Sequence, residues 1–224
     1  TLRFSRTGED YNPAMGFLLT ENYTAAYVRA LYGWFPGKDS ALTRHEAFVE
    51  ARVYWDNATK DVMLAQVGPG WEFTAKSGFT ARFWPQLHVD NLTEDFELSH
   101  EVKVPPGHYV YPSLMFMCMT PPGRLFNTGL FGEVGGYFDG WRVSVGLMPT
   151  WSGIPNLEFG GMLQYNLVKF PERGETFNAP IGQLRALATL SVKVSVSALV
   201  QYSAADDAMT FNFRFRYNPR EGTD

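Results

Sequence analysis

The chain has 224 residues, with 19 basic against 23 acidic side chains and a formal net charge of -4. That balance excludes a protein that holds nucleic acid through a basic footprint. A single cysteine, Cys118, excludes an internal disulfide and a cysteine-based zinc site. Aromatic residues make up 16% of the chain, which has 21 glycines and no long stretch of Ala, Glu, Lys and Leu at helical spacing, so the composition predicts an all-β fold. The length suits one domain over residues 1–224. No apolar run reaches the length of a membrane helix, but a β-barrel crosses on alternating strands and leaves no such run.

The first residues, "TLRFSRTGEDYNP", lack the basic start and apolar core of a signal peptide, so the chain reads as a processed or internal portion. Period-two alternation, which gives a strand two different faces, is weak over 1–7, 17–35, 46–55 and 62–75, with "WDNATKD" as a short hairpin loop. In "FTARFWPQL" Phe79, Ala81, Phe83 and Leu87 oppose Thr80, Arg82, Trp84 and Gln86, and Pro85 predicts an edge or a strand end. "HVDNLTEDFELSHEVKVPPGHY", residues 88–109, is acidic and reads as an excursion out of the sheet. Within it His88 and Asp90 share a face and could begin a metal or acid–base site, but no third ligand follows. Ser99, His100 and Glu101 are adjacent, so on an extended segment they point in opposite directions and do not form a nucleophile–base pair.

Further strands are expected over 109–119 and 124–138, with Cys118 among apolar neighbours as an inert thiol, and "FDGW" places a turn at Asp139 and Gly140. The turn aromatics Tyr137, Phe138 and Trp141 are candidates for stacking on a sugar. "WRVSVGLM" and "LEFGGMLQYN" alternate clearly, "KFPERGETFNAPIG" is a second long loop, and 181–190 alternates weakly. "VKVSVSALVQY", "SAADDA" as a turn and "MTFNFRFRYNP" complete about a dozen strands. In the last, Phe211, Phe213, Phe215 and Tyr217 oppose Asn212, Arg214, Arg216 and Asn218. The clearest segments, 141–148, 157–166, 192–202 and 209–218, approach the roughly 9 to 11 residues a tilted strand needs to cross a bilayer.

These lengths favour an antiparallel up-and-down transmembrane β-barrel over a soluble sandwich. Its lumen would be lined by Arg142, Glu158, Gln164, Arg185, Lys193, Gln201, Asn212, Arg214 and Arg216, since mid-strand charge is costly in a dry core and tolerated beside water. Trp141, Trp151, Tyr165, Tyr202 and Tyr217, near the ends of apolar faces, would form interfacial girdles.

"YNPAMGF" at 11–17, "VPPGHYVYPSL" at 104–114 and "ALVQYSAADDAMTFNFRFRYNPREGTD" at 198–224 resemble the C-terminal barrel of bacterial outer-membrane proteins that carry an N-terminal carbohydrate-binding family 9-like domain. The resemblance runs, with gaps, over essentially the whole chain. It implies a bacterial outer-membrane location, lipid as the surrounding partner, and further strands from elsewhere in the native protein or from another chain, because members continue beyond the equivalent of "REGTD". The resulting expectation is a pore or surface scaffold for polar solutes, saccharides among them, with no cofactor, metal or catalytic residue assigned and no nucleic-acid partner. Two alternatives stay open: an outer-membrane hydrolase with a rim or loop site, and a soluble sandwich or lipocalin-like carbohydrate-binding module.

Overall fold

The computed structural model describes residues 1–9, 22–99, 102–204 and 207–218. Among them are fifteen strands and no helix: β1 Leu2–Arg6, β2 Tyr23–Trp34, β3 Leu42–Asp56, β4 Val62–Ala75, β5 Thr80–Leu92, β6 Phe96–Glu97, β7 Lys103–Val104, β8 Gly107–Met119, β9 Phe126–Tyr137, β10 Gly140–Ile154, β11 Leu157–Phe170, β12 Glu175–Asn178, β13 Ile181–Ser191, β14 Val194–Ser203 and β15 Ala208–Tyr217. Twelve form one antiparallel up-and-down path, β1-β2-β3-β4-β5-β8-β9-β10-β11-β13-β14-β15; β12 adds to β11, and β6 with β7 makes a separate hairpin. The path does not close: β1 and β15 are each paired on one side only.

The register sorts side chains onto two faces. Contacts between strands two apart occur on one of them: Arg82 of β5 lies 3.2 Å from Glu50 of β3, Arg29 of β2 lies 4.0 Å from Glu72 of β4, and His88 of β5 lies 3.6 Å from Glu133 of β9. Such strands are roughly 9.6 Å apart, so the sheet curves toward that side. From β2 onward every Asp, Glu and Arg of the path stands on this concave face. The exceptions on the convex face are Lys169 and, on β1, Arg6, both at strand ends beside the same rim. The convex face is apolar and open, with Val67, Leu87, Leu114, Leu147, Leu163 and Phe213 all exposed.

Four local expectations change. Pro85 is central in β5, between β4 and β8, rather than at an edge or end. The β4–β5 register jumps from Val67↔Leu87 to Trp71↔Phe83, so the missing Pro85 donor faces a gap in the ladder. A Cβ on Gly68 would meet the Pro85 carbonyl oxygen at 2.0 Å, so glycine permits the close approach there. The β9–β10 turn is Phe138–Asp139, one residue earlier than expected, and Phe138 takes the positive φ of 52°. Its ring is held by Tyr137, Tyr109, Tyr111 and Phe96 at centroid distances of 4.7 to 5.8 Å. Gly140 instead begins β10, where a Cβ would meet the Lys169 carbonyl oxygen at 2.2 Å.

Lys193 lies with Val192 in the β13–β14 turn, not mid-strand; the alternation runs through the turn because the hairpin reverses over only those two residues. The excursion is also shorter than residues 88–109, since β5 continues to Leu92 and β8 begins at Gly107. What remains folds inward: Val102 and Val104 pack with Val168 and Phe170, the last two at the end of β11. Val104 is 0% and Phe170 1% exposed, the tightest apolar burial among the described residues. Arg173 fastens the segment by hydrogen-bonding the Lys103 carbonyl. The Glu97 carboxylate hydrogen-bonds the Lys103 ammonium and holds it above the ordinary lysine range. His100 and Glu101, with parts of the 17–35 and "SAADDA" expectations, lie outside the described residues.

Candidate functional site: a polar cavity on the concave face

Strand alternation places a row of inward side chains on each of β2 to β5 and β8 to β10, and curvature gathers these rows around a cavity of about 520 Å3. Its size falls within the range of small-molecule sites. Glu50 is the hub of one wall. It accepts from the Tyr27 hydroxyl at 3.2 Å, from Arg82 at 3.2 Å and from Gln86 at 3.5 Å. The Arg82 guanidinium lies between the rings of Phe48 and Trp84, at 4.4 and 4.5 Å from their centroids. Glu133 is the hub of the other wall, paired with Arg142, whose guanidinium covers the Tyr137 ring at 4.4 Å.

His88 bridges the walls. Its Nδ1 is 3.1 Å from the Gln66 amide nitrogen, its Nε2 is 2.8 Å from Ser113 Oγ, and its ring stacks on Tyr111 at 4.9 Å. The Tyr111 hydroxyl donates to Asp90 at 2.7 Å. His88 and Ser113 are each only 5% exposed. The expected pair His88 and Asp90 therefore does share a face, but each is occupied by a different neighbour, and no group of three or more metal-ligating side chains occurs among the described residues. With the Gln66 amide donating to Nδ1, the ring proton sits on Nε2 and is directed at Ser113, the reverse of what a general base toward that hydroxyl requires. The arrangement can present donors and acceptors beside aromatic faces; as it stands it does not activate a nucleophile.

Of the residues expected to line a lumen, Arg142 enters the cavity wall. Gln164 is on the concave face of β11, donating to Ser144 at 3.1 Å and Asn166 at 3.0 Å, in a second polar cluster whose Asn166 amide caps the Ala179 carbonyl at 3.0 Å. Glu158, Arg185, Gln201, Asn212, Arg214 and Arg216 are on the same face of β11 to β15 but away from the cavity. Lys193 is at the rim.

The five expected girdle aromatics stand on the convex face. Trp141 and Tyr202 lie near one rim, Trp151 and Tyr217 near the other, and Tyr165 four residues inward from Lys169. Tyr137 and Phe138 pack in the rim cluster, half-buried, with Tyr137 also lining the cavity, and Trp141 faces the other way. Glu50, Gln66, Glu133, Tyr111 and Ser113 went unnoticed in the sequence because they lie in weakly alternating segments, and Arg82, placed on the polar face of its strand, meets Glu50 only across strands.

No family model, curated protein or solved structure matches the chain.

Proposed function

We propose that the chain forms part of the wall of a bacterial outer-membrane β-barrel acting as a pore or surface scaffold for polar solutes. The carrying observation is the separation of charge: carboxylates and guanidiniums gather on the concave face, while the convex face is apolar between its rims, with Lys169 and Arg6 at one rim. Acyl chains would cover that convex face, and water would fill the concavity.

Dimensions support the reading. Trp141 and Trp151 are ten residues apart on β10, which at about 3.3 Å per residue and a tilt near 40° separates them by roughly 25 Å along the membrane normal, the height of a barrel's apolar band. His45 and Trp55 have the same spacing on β3, with the Trp34 ring tilted against His45 at a centroid distance of 4.0 Å. Free backbone donors and acceptors on β1 and β15 would be costly in lipid, so the wall is completed by strands beyond this path. Saccharides are the favoured solute class, because the cavity sets Trp84 and Tyr27 beside Glu50, Gln66 and Asp90, and flat rings with fixed acceptors suit polyhydroxylated molecules.

Extraction of the full-length protein from envelopes is the first test: release only by detergent is expected, and a monodisperse protein without detergent would refute the membrane setting. Planar-bilayer recording then separates the two roles. Conductance steps that fall on addition of oligosaccharide identify a pore, whereas insertion without conductance leaves the scaffold.

A further inference from the structure

Two groups stand out among the concave-face arginines. Arg29, Arg44, Arg82 and Arg142 each meet a carboxylate, on Glu72, Glu46, Glu50 and Glu133. Arg3, Arg52, Arg185 and Arg214 have no carboxylate within 4.0 Å among the described residues. The second group is not scattered: Arg3 and Arg52 are on the three strands nearest one open edge, and Arg185 and Arg214 on the three nearest the other. On the first side, Arg3 and Arg52 both rest on the Tyr27 ring, at 5.8 and 5.6 Å, with that ring in place of an anion.

We propose that the open seam between β1 and β15 is filled by β-strands whose inward positions are acidic and whose outward positions are apolar. The inference rests on the barrel reading and adds the chemistry of the partner. The outward requirement follows from Phe211, Phe213 and Phe215 on β15 and from Leu2 and Phe4 on β1, which must continue into a matching apolar surface. The inward requirement follows from Arg3 and Arg214, which stand on the edge strands themselves, and from the chain's own paired arginines, which curvature brings to a carboxylate one or two strands away, as Arg142 reaches Glu133 and Arg82 reaches Glu50. A strand seated beside β15 is one and two strands from Arg214 and the strand behind it.

A second copy of this chain does not meet the inward requirement. Its β15 would bring Thr210, Asn212, Arg214 and Arg216, and its β1 Arg3 and Ser5, with no carboxylate in either set. Like charges facing across a ladder destabilise it. The partner is therefore a different strand, from elsewhere in the native protein or from another chain.

Two labelled ten-residue peptides test the proposal, both with Val, Leu and Phe at alternate positions and with Glu in one and Lys in the other at the remaining positions. Binding to the intact chain is read by fluorescence anisotropy, in detergent micelles or, if the chain needs no detergent, in buffer. The Glu peptide is expected to bind about tenfold more tightly at low salt, with the preference fading at high salt and reversing in the double variant Arg3→Glu, Arg214→Glu. Equal binding, preference for the Lys peptide, no binding of either, or a dimer of the chain that excludes both peptides overturns the proposal. A detergent-independent chain that still prefers the Glu peptide would sink the membrane reading and keep the acidic-strand assignment.

Discussion

The two halves of this sheet share one sequence pattern and reach different states. Over β3 to β10 the concave face is crowded: Glu46, Gln86, His88, Asp90 and Ser113 are buried polar side chains, and apart from Arg52 its arginines are paired. On β15 every residue is exposed on both faces. Alternation is clearer in the exposed half, as in "MTFNFRFRYNP", than in the crowded one, so it does not produce the difference. What differs is position in the path: from β3 to β10 most polar groups are answered by strands one and two away, whereas Arg214 on the edge strand β15 meets no carboxylate among the described residues. Burial and charge pairing in this fold belong to the curved assembly and not to single strands.

That contrast can be broken deliberately. Phe170→Ala should have the largest effect, about 3 to 4 kcal/mol, because it empties the contact that holds the inward segment around Val102 and Val104. Limited proteolysis should then cut between residues 93 and 106 while the sheet's circular-dichroism signal persists; an uncut segment would show that Phe170 does not hold it. Glu133→Gln should cost about 2 to 3 kcal/mol, since it leaves the Arg142 charge and the His88 bridge without their carboxylate. Denaturant unfolding in detergent reads it, and a loss as small as that of an edge variant would mean water already satisfies the crowded half.

Arg214→Ala supplies that edge comparison and should change stability by less than about 0.5 kcal/mol, because an exposed unpaired side chain gives up almost nothing. A clear loss would reveal a partner already seated on β15. The smallest effect concerns pH. Lys103 is held above the ordinary lysine range by Glu97, so while the Glu97 carboxylate is ionised the lysine's contribution is present through neutral pH and is lost as pH rises through the raised value. Protease resistance of the inward segment should be flat around neutral pH and fall in strong alkali; a fall near neutrality would show that another group anchors it.

Much of the fold was legible in the residues themselves. Side chains on a strand alternate whatever the surroundings, so "MTFNFRFRYNP" and "WRVSVGLM" announced their strands and put Trp141 opposite Arg142 and Phe213 opposite Arg214. Strand count and up-and-down order followed, because short turns between such runs leave only the neighbouring antiparallel position. The same local rule misplaced Lys193, which continues the alternation through a turn, and Pro85, whose tolerance depends on Gly68 in the facing strand.

The site was another matter. That Glu133 meets Arg142 and His88, that Glu50 gathers Tyr27, Arg82 and Gln86, and that Val104 comes to rest on Phe170 are consequences of curvature and register, which join positions tens of residues apart. Alternation determines which face a side chain occupies and carries no information about which distant side chain shares that face with it. In this protein the sequence by itself determined the strands and the two surfaces of the sheet; only the tertiary structure decided which charges are answered, where the cavity lies, and which edge is left open.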